Sequence, residues 1–283
     1  MQDKKVFLYY FLAVGMILFP ILNLLSFVPM VILYKKSNFR TYILSAGMFI
    51  VLSLIILRNF TSLIPVFSSF IVIKGMDSEK DGYKVLLVSA LVMTVLLVSD
   101  FLLLRINAKS YELFLNNISD FLNSFENYKE IFNIKNAEDF VNRMMNIYPS
   151  VSFTIAYIFG TIGYLFLSKK IYKNYKDSDD VIIPLDMKFF FISLVVIVVM
   201  IFTTSLEDFY QVFLICYNLI IVFIGIMIVQ GFIKANAFLK KKLNKILANL
   251  LSFCSIFLGI IYAVYVIYGI YSSILRGVKW ERK

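Results

Sequence analysis

An ionisable side chain deep in lipid costs about 2.5–3.5 kcal/mol on insertion scales, so each one needs a partner or a task. This chain has one acid well inside an apolar run: Asp100, six residues from the end of the run at 84–106. It reads either as a headgroup-level acid near Arg105 or as a substrate or proton contact facing a helical bundle. Asn23, Asn218 and Gln230 are neutral and also sit among apolar residues. Such groups either bond neighbouring helices together or meet a ligand. Asp100, Asn218 and Asn23 are therefore the candidate ligand-binding residues. Histidine is absent, and both cysteines, Cys216 and Cys254, lie in apolar runs. That removes histidine-based triads, a disulfide framework and most metal sites, and implies no cofactor. No Walker loop, GxGxxG or HExxH pattern occurs, and an intramembrane aspartyl enzyme would need a second deep acid. No catalytic residue and no enzymatic role are expected.

The elements that would hold these residues are long apolar runs. Sixty per cent of the 283 residues are hydrophobic and only 16% are charged, too apolar for one soluble core. The expected fold is all-α, a polytopic transmembrane helical bundle of about eight spans, the first one broken by proline, in contact with the lipid bilayer. Residues 6–34 would make a single helix about 43 Å long against a hydrocarbon core of about 30 Å. Pro20, Pro29 and Asn23 lie inside that stretch, so a strong kink or a tight hairpin is expected. Further runs lie at 41–57, 60–74, 84–106, 149–168, 189–205, 209–233 and 246–275. Tyr262, Tyr265, Tyr268 and Tyr271 recur every third residue on the last run, and read as an interfacial belt and packing, or, for those further in, as the lining of a pocket. Ala156-x-x-x-Gly160 marks close helix packing.

Residues 107–148 interrupt the apolar pattern. Acids outnumber bases there, yet Tyr111, Phe114, Ile118, Phe121, Phe125 and Phe132 keep three-four spacing. An extramembrane amphipathic segment is expected, with Asn136 capping a second short helix that Pro149 closes. The chain thus divides into an N-terminal bundle at 1–106, the amphipathic segment at 107–148, and a C-terminal bundle at 149–283. The amphipathic face should lie against the protein's own helices or a membrane-protein partner.

The net charge of +10 does not point to nucleic acid, because the basic residues sit in short runs between apolar segments. Most of the 28 lie in the loops at 35–40, 74–84, 169–188 and 234–245, which should be cytoplasmic. The basic tail from Arg276 onward would then fall on the opposite side.

The stretches Pro20-x8-Pro29 with Val31-Ile-Leu-Tyr-Lys-Lys, Asn146-Ile-Tyr-Pro149-Ser, and Gly231 to Lys242 followed by Gly269-Ile-Tyr-Ser-Ser-Ile-Leu-Arg276 resemble the YybS-like bacterial membrane family. That family is itself similar to the substrate-binding S components of energy-coupling-factor transporters. The resemblance implies a bacterial cytoplasmic-membrane protein, and a component that binds or transports a small-molecule ligand. The alternative is a non-transporting scaffold for envelope assembly, docking through 107–148.

Overall fold

The computed structural model describes residues 2–125, 134–172, 178–185, 187–203, 209–255 and 259–281. Among these the chain is helical, with no strand. Helix α1 (Gln2–Ile17) leads through a turn at Pro20–Asn23 into α2 (Phe27–Lys36). Helix α3 (Phe39–Val51) widens into π-helical turns at Leu52–Leu57, and a tight turn at Thr61–Leu63 opens α4 (Ile64–Asp77). Then come α5 (Gly82–Ile106), α6 (Ala108–Asn123) and α7 (Ala137–Leu167), the last running on to Tyr172. A turn at Ser178–Val181 precedes α8 (Met187–Thr203), α9 (Tyr210–Lys242), α10 (Lys245–Ser255) and α11 (Gly259–Glu281).

Each proline break has a local cause. Pro20 and Pro65 begin helical turns, where a missing N–H breaks no bond. Pro29 falls in the first turn of α2, which also lacks acceptors for its N–H groups. The first segment is therefore a hairpin: Lys36 at the end of α2 donates to the Tyr9 hydroxyl on α1 at 2.7 Å. Pro149 behaves otherwise. It lies inside α7, which continues through it, so the helix expected to close before 149 and the run expected to open there are one element. Losing one helical bond is outweighed by a helix that packs along its length on both α5 and α9.

Helices α2, α4, α5, α7 and α9 build the core, with Phe27, Met30, Leu33, Ile64, Leu86, Met93, Tyr157 and Met227 buried among them. Helices α5 and α7 run antiparallel. Leu86 meets Gly160 near one end, and the Phe101 and Tyr148 rings lie 5.3 Å apart near the other. Helices α7 and α9 run parallel, paired at Asn146–Asn218 and Thr154–Gly225. Outside this core, Met48, Leu91, Phe202, Ile215, Val264 and Ile267 are exposed, an apolar exterior suited to lipid.

Four helices among the described residues are long and apolar enough to cross a membrane: Gly82–Ile106, Ala137–Tyr172, Tyr210–Lys242 and Gly259–Val278. The expected count of about eight is not supported. Leu8–Ile17, Phe39–Val51 and Phe191–Thr203 are apolar but shorter than a bilayer core requires. The expected run at 60–74 is the 14-residue α4, and the run at 246–275 is two helices, α10 and α11.

The structure also revises the charge map. Lys35 pairs with Asp77 at 2.7 Å and lies over the Tyr172 ring, so three of the basic loops meet at one end. Arg276 lies against Tyr83 and bonds the Ile182 carbonyl, which puts the start of the basic tail at this same end. With the C-terminal run in two helices rather than one span, the conflict between tail and loops disappears.

Candidate functional site

The end of the bundle opposite the basic loops is built around a short connection between α3 and α4. The π-helical turns finish at Arg58, whose φ of 52° and ψ of 40° put it in the left-handed region. That reverses the chain sharply and leaves the next amides without helical acceptors. Asn59 supplies one acceptor, its side chain taking the Ser62 N–H at 3.1 Å. Asp100, from the last two turns of α5, supplies two more. Its carboxylate accepts the N–H of Phe60 and, at 2.8 Å, that of Thr61. Asn23 completes the arrangement by donating to the Thr61 carbonyl at 3.1 Å, while its own carbonyl oxygens take the Ser26 hydroxyl.

Two of the three candidate ligand residues thus converge on the backbone of Thr61, from α5 and from the α1–α2 hinge. Asp100 works as a helix cap donated by a neighbouring helix: its charge is met by backbone N–H groups, as at an N-cap. Asn218 lies apart. It donates to the Asn146 carbonyl at 2.6 Å and to the Leu214 carbonyl at 2.9 Å, tying α9 to α7. The Asn146 carbonyl is next to that of Met145, which Pro149 deprives of its helical donor.

Asp100 also borders an open recess of about 570 Å³. The end of α5 and its junction supply Asp100, Leu103, Leu104, Ile106 and Asn107, the turn after α3 supplies Arg58 and Asn59, and α6 supplies Ser110, so polar and apolar groups lie side by side in the lining. Asn107 sits at the α5–α6 junction, where its side-chain oxygen caps α6 by accepting the Ser110 N–H at 3.2 Å. The oxygens of Asn59 and Asn107 are therefore occupied, and their amide N–H2 groups have no partner among the described residues. The Arg58 guanidinium likewise has no ion pair among them. Such a lining offers hydrogen-bond donors and one cation, beside a carboxylate already met by amides. It suits a ligand head that accepts hydrogen bonds or carries negative charge, with an apolar part against the leucines.

Helix α6 forms the rim of this end. Its face packs inward through Phe114, whose ring lies 5.9 Å from that of Phe101, and through the fully buried Leu122. Phe121 and Phe125 stay exposed, and Phe132 lies outside the described residues. Asn136 caps α7 as its context predicts, taking the Asp139 N–H at 2.8 Å.

At the other end, the Tyr34 hydroxyl donates to Asp77 at 3.1 Å, and this bond to a carboxylate pushes the phenol above its ordinary pKa. Asp180, Lys234 and Arg276 also gather there, and the sequence had not marked any of them as site residues. Asp180 follows the lysine run that starts at Lys169, and Arg276 opens the basic tail. Only folding shows that Asp180 meets Gly82, 98 positions away.

No curated protein and no solved structure matches the chain. A family model described as predicted membrane protein (DUF2232) matches residues 6–271, and the chain belongs to that family.

Proposed function

We propose that this membrane protein is a non-enzymatic binding component, part of a transport process, that takes a small amphiphilic molecule into the recess between Arg58 and Ser110. The observation that carries this reading is the mixed lining: donors from Arg58, Asn59 and Asn107 lie beside leucines around a recess of about 570 Å³. The resemblance to S components of energy-coupling-factor transporters agrees with a ligand held near the outer half of a helical bundle. Asp100 keeps the recess in shape and borders it, and Asn23 supports it through Thr61. Asn218 holds α7 to α9. The proposed setting is a bacterial cytoplasmic membrane, with the basic loops inside and the recess outside.

The test is native mass spectrometry of the full-length protein released from its own membranes. A bound species should co-purify with the wild type and be lost in Arg58→Ala and Asn107→Ala. Identical spectra from all three would remove this reading. The rival reading, an envelope scaffold, draws on exposed Leu113 and Phe121 on α6 and Phe125 just beyond its end. It predicts that a protein partner is cross-linked from those positions and that no small molecule is carried.

A further inference from the structure

We propose that α1 and α2 form a re-entrant hairpin. It enters and leaves at the basic end, and its tip, residues 18–26, turns back inside the hydrocarbon, covered by acyl chains of the opposite leaflet.

The height of the tip is the central observation. Asn23 donates to the Thr61 carbonyl, and the Thr61 N–H donates to Asp100. The ring of Phe101, next in the chain, lies against that of Tyr148, and Asn218 holds the Asn146 carbonyl. The tip is thus level with residues 146–148 of α7 and with Asn218 of α9. Helices α5 and α9 both carry on past that level. Residues 101–106 of α5 rise about 9 Å further, and residues 210–217 of α9 about 12 Å. Their surfaces are still apolar there, with Leu102, Ile106 and Ile215 exposed. The hairpin stops short. Lys36 meets the Tyr9 hydroxyl at the basic end. From Asn23 to Lys36 the helical rise is about 20 Å, against a hydrocarbon core of about 30 Å.

The tip is built for that depth. No charged residue occurs between Lys5 and Lys35. Leu18, Phe19, Ile21 and Leu22 are all exposed at the tip, a surface suited to acyl chains and not to water. Its polar side chains, Asn23 and Ser26, are buried and turned inward, Asn23 to Thr61 and Ser26 to Asn23. The backbone is closed as well. The N–H groups of Phe19, Asn23, Leu25, Ser26 and Val28 each meet a carbonyl three or four positions back. Pro20 has no N–H to satisfy. A turn in water can leave its amides to solvent, whereas a turn in lipid has to satisfy them within the protein. The facing turn is closed in the same manner, its Thr61 N–H by Asp100 and its Ser62 N–H by Asn59. The hairpin stands whether or not the Arg58 recess holds a ligand.

The experiment attaches one nitroxide at a time to full-length protein in phosphatidylcholine bilayers, in a background with Cys216→Ala and Cys254→Ala. Phe19→Cys and Ile21→Cys carry the labels at the tip. Val95→Cys, on the exposed stripe of α5, marks hydrocarbon, and Glu112→Cys, exposed on α6, marks water. Collisions with oxygen, which concentrates in lipid, and with a water-soluble nickel chelate are read at each position. Both tip labels should follow Val95, reached by oxygen and not by the chelate. An impermeant maleimide applied to both faces of the vesicles should react with Glu112→Cys, and with the tip cysteines only after denaturation. A tip label that meets the chelate as Glu112→Cys does puts the tip in water and overturns the proposal. A tip label reached by neither agent is covered by protein, from this chain or a second copy, and overturns it equally. The two tip positions are exposed and independent, so if one variant does not fold the other decides.

Discussion

At the scale of single residues, the acid inside α5 is a structural cap. Asp100 satisfies two amides that the reversal at Arg58 would otherwise bury without acceptors. Asp100→Ala should cost about 1–3 kcal/mol for each amide left unpaired. Asp100→Asn keeps one acceptor oxygen and should cost less. Unfolding in mixed detergent measures both, and equal, negligible effects would show that water replaces the carboxylate. The sequence singled out Asp100 and Asn23 because polar groups in apolar runs stand out. It did not reveal that they meet at the backbone of Thr61. Their partners are backbone groups 38 to 40 positions away, and a backbone N–H carries no sequence signal. Arg58 was equally silent, since its left-handed conformation belongs to the turn and not to the residue type.

At the scale of elements, periodicity and prolines were legible wherever a local rule decided the outcome. The hinge at Pro20 and the three-four stripe of α6 both formed as their patterns predict. The rule failed where tertiary packing outweighed it, as in α7, which passes through Pro149 because α5 and α9 brace it. The stripe on α6 also splits. Leu122 is fully buried, whereas Phe121 is 54% exposed. Leu122→Ala should therefore cost about 2–5 kcal/mol, and Phe121→Ala should stay within about 0.5 kcal/mol. Comparable losses at both positions, read from unfolding midpoints, would mean that something covers the outer face. The glycines of α9 and α11 allow a sharper expectation. Gly269→Leu should destabilise by about 1–3 kcal/mol or more, because the main chain of α9 has no rotamer with which to yield. A shift in Tm no larger than that of Gly259→Leu, where nothing lies near, would contradict the close contact.

At the scale of the whole molecule, the two ends differ in charge and in construction. Loops 35–40, 74–84 and 169–188 meet at one end with Arg276, and Arg58, Asp100 and Asn107 mark the other. With the basic end inside, a cysteine at Asn244 and one appended after Lys283 should both resist impermeant thiol reagents in whole cells, in a background with Cys216→Ala and Cys254→Ala. Labelling of the appended cysteine alone would return the tail to the opposite side. Charge bias in the loops was readable from the sequence, but the place of the tail was not. It depends on how α10 and α11 divide an apolar run whose composition resembles one continuous span.

The account rests most heavily on the recess beside Asp100 as a place where a ligand sits. A cryo-electron-microscopy map of the full-length protein in nanodiscs of its native lipids tests it most directly. The map should show non-protein density between Arg58, Asn107 and Leu103, with its polar end towards the guanidinium. A recess filled by the protein's own side chains, with Arg58 paired to a carboxylate of the same chain, would contradict it.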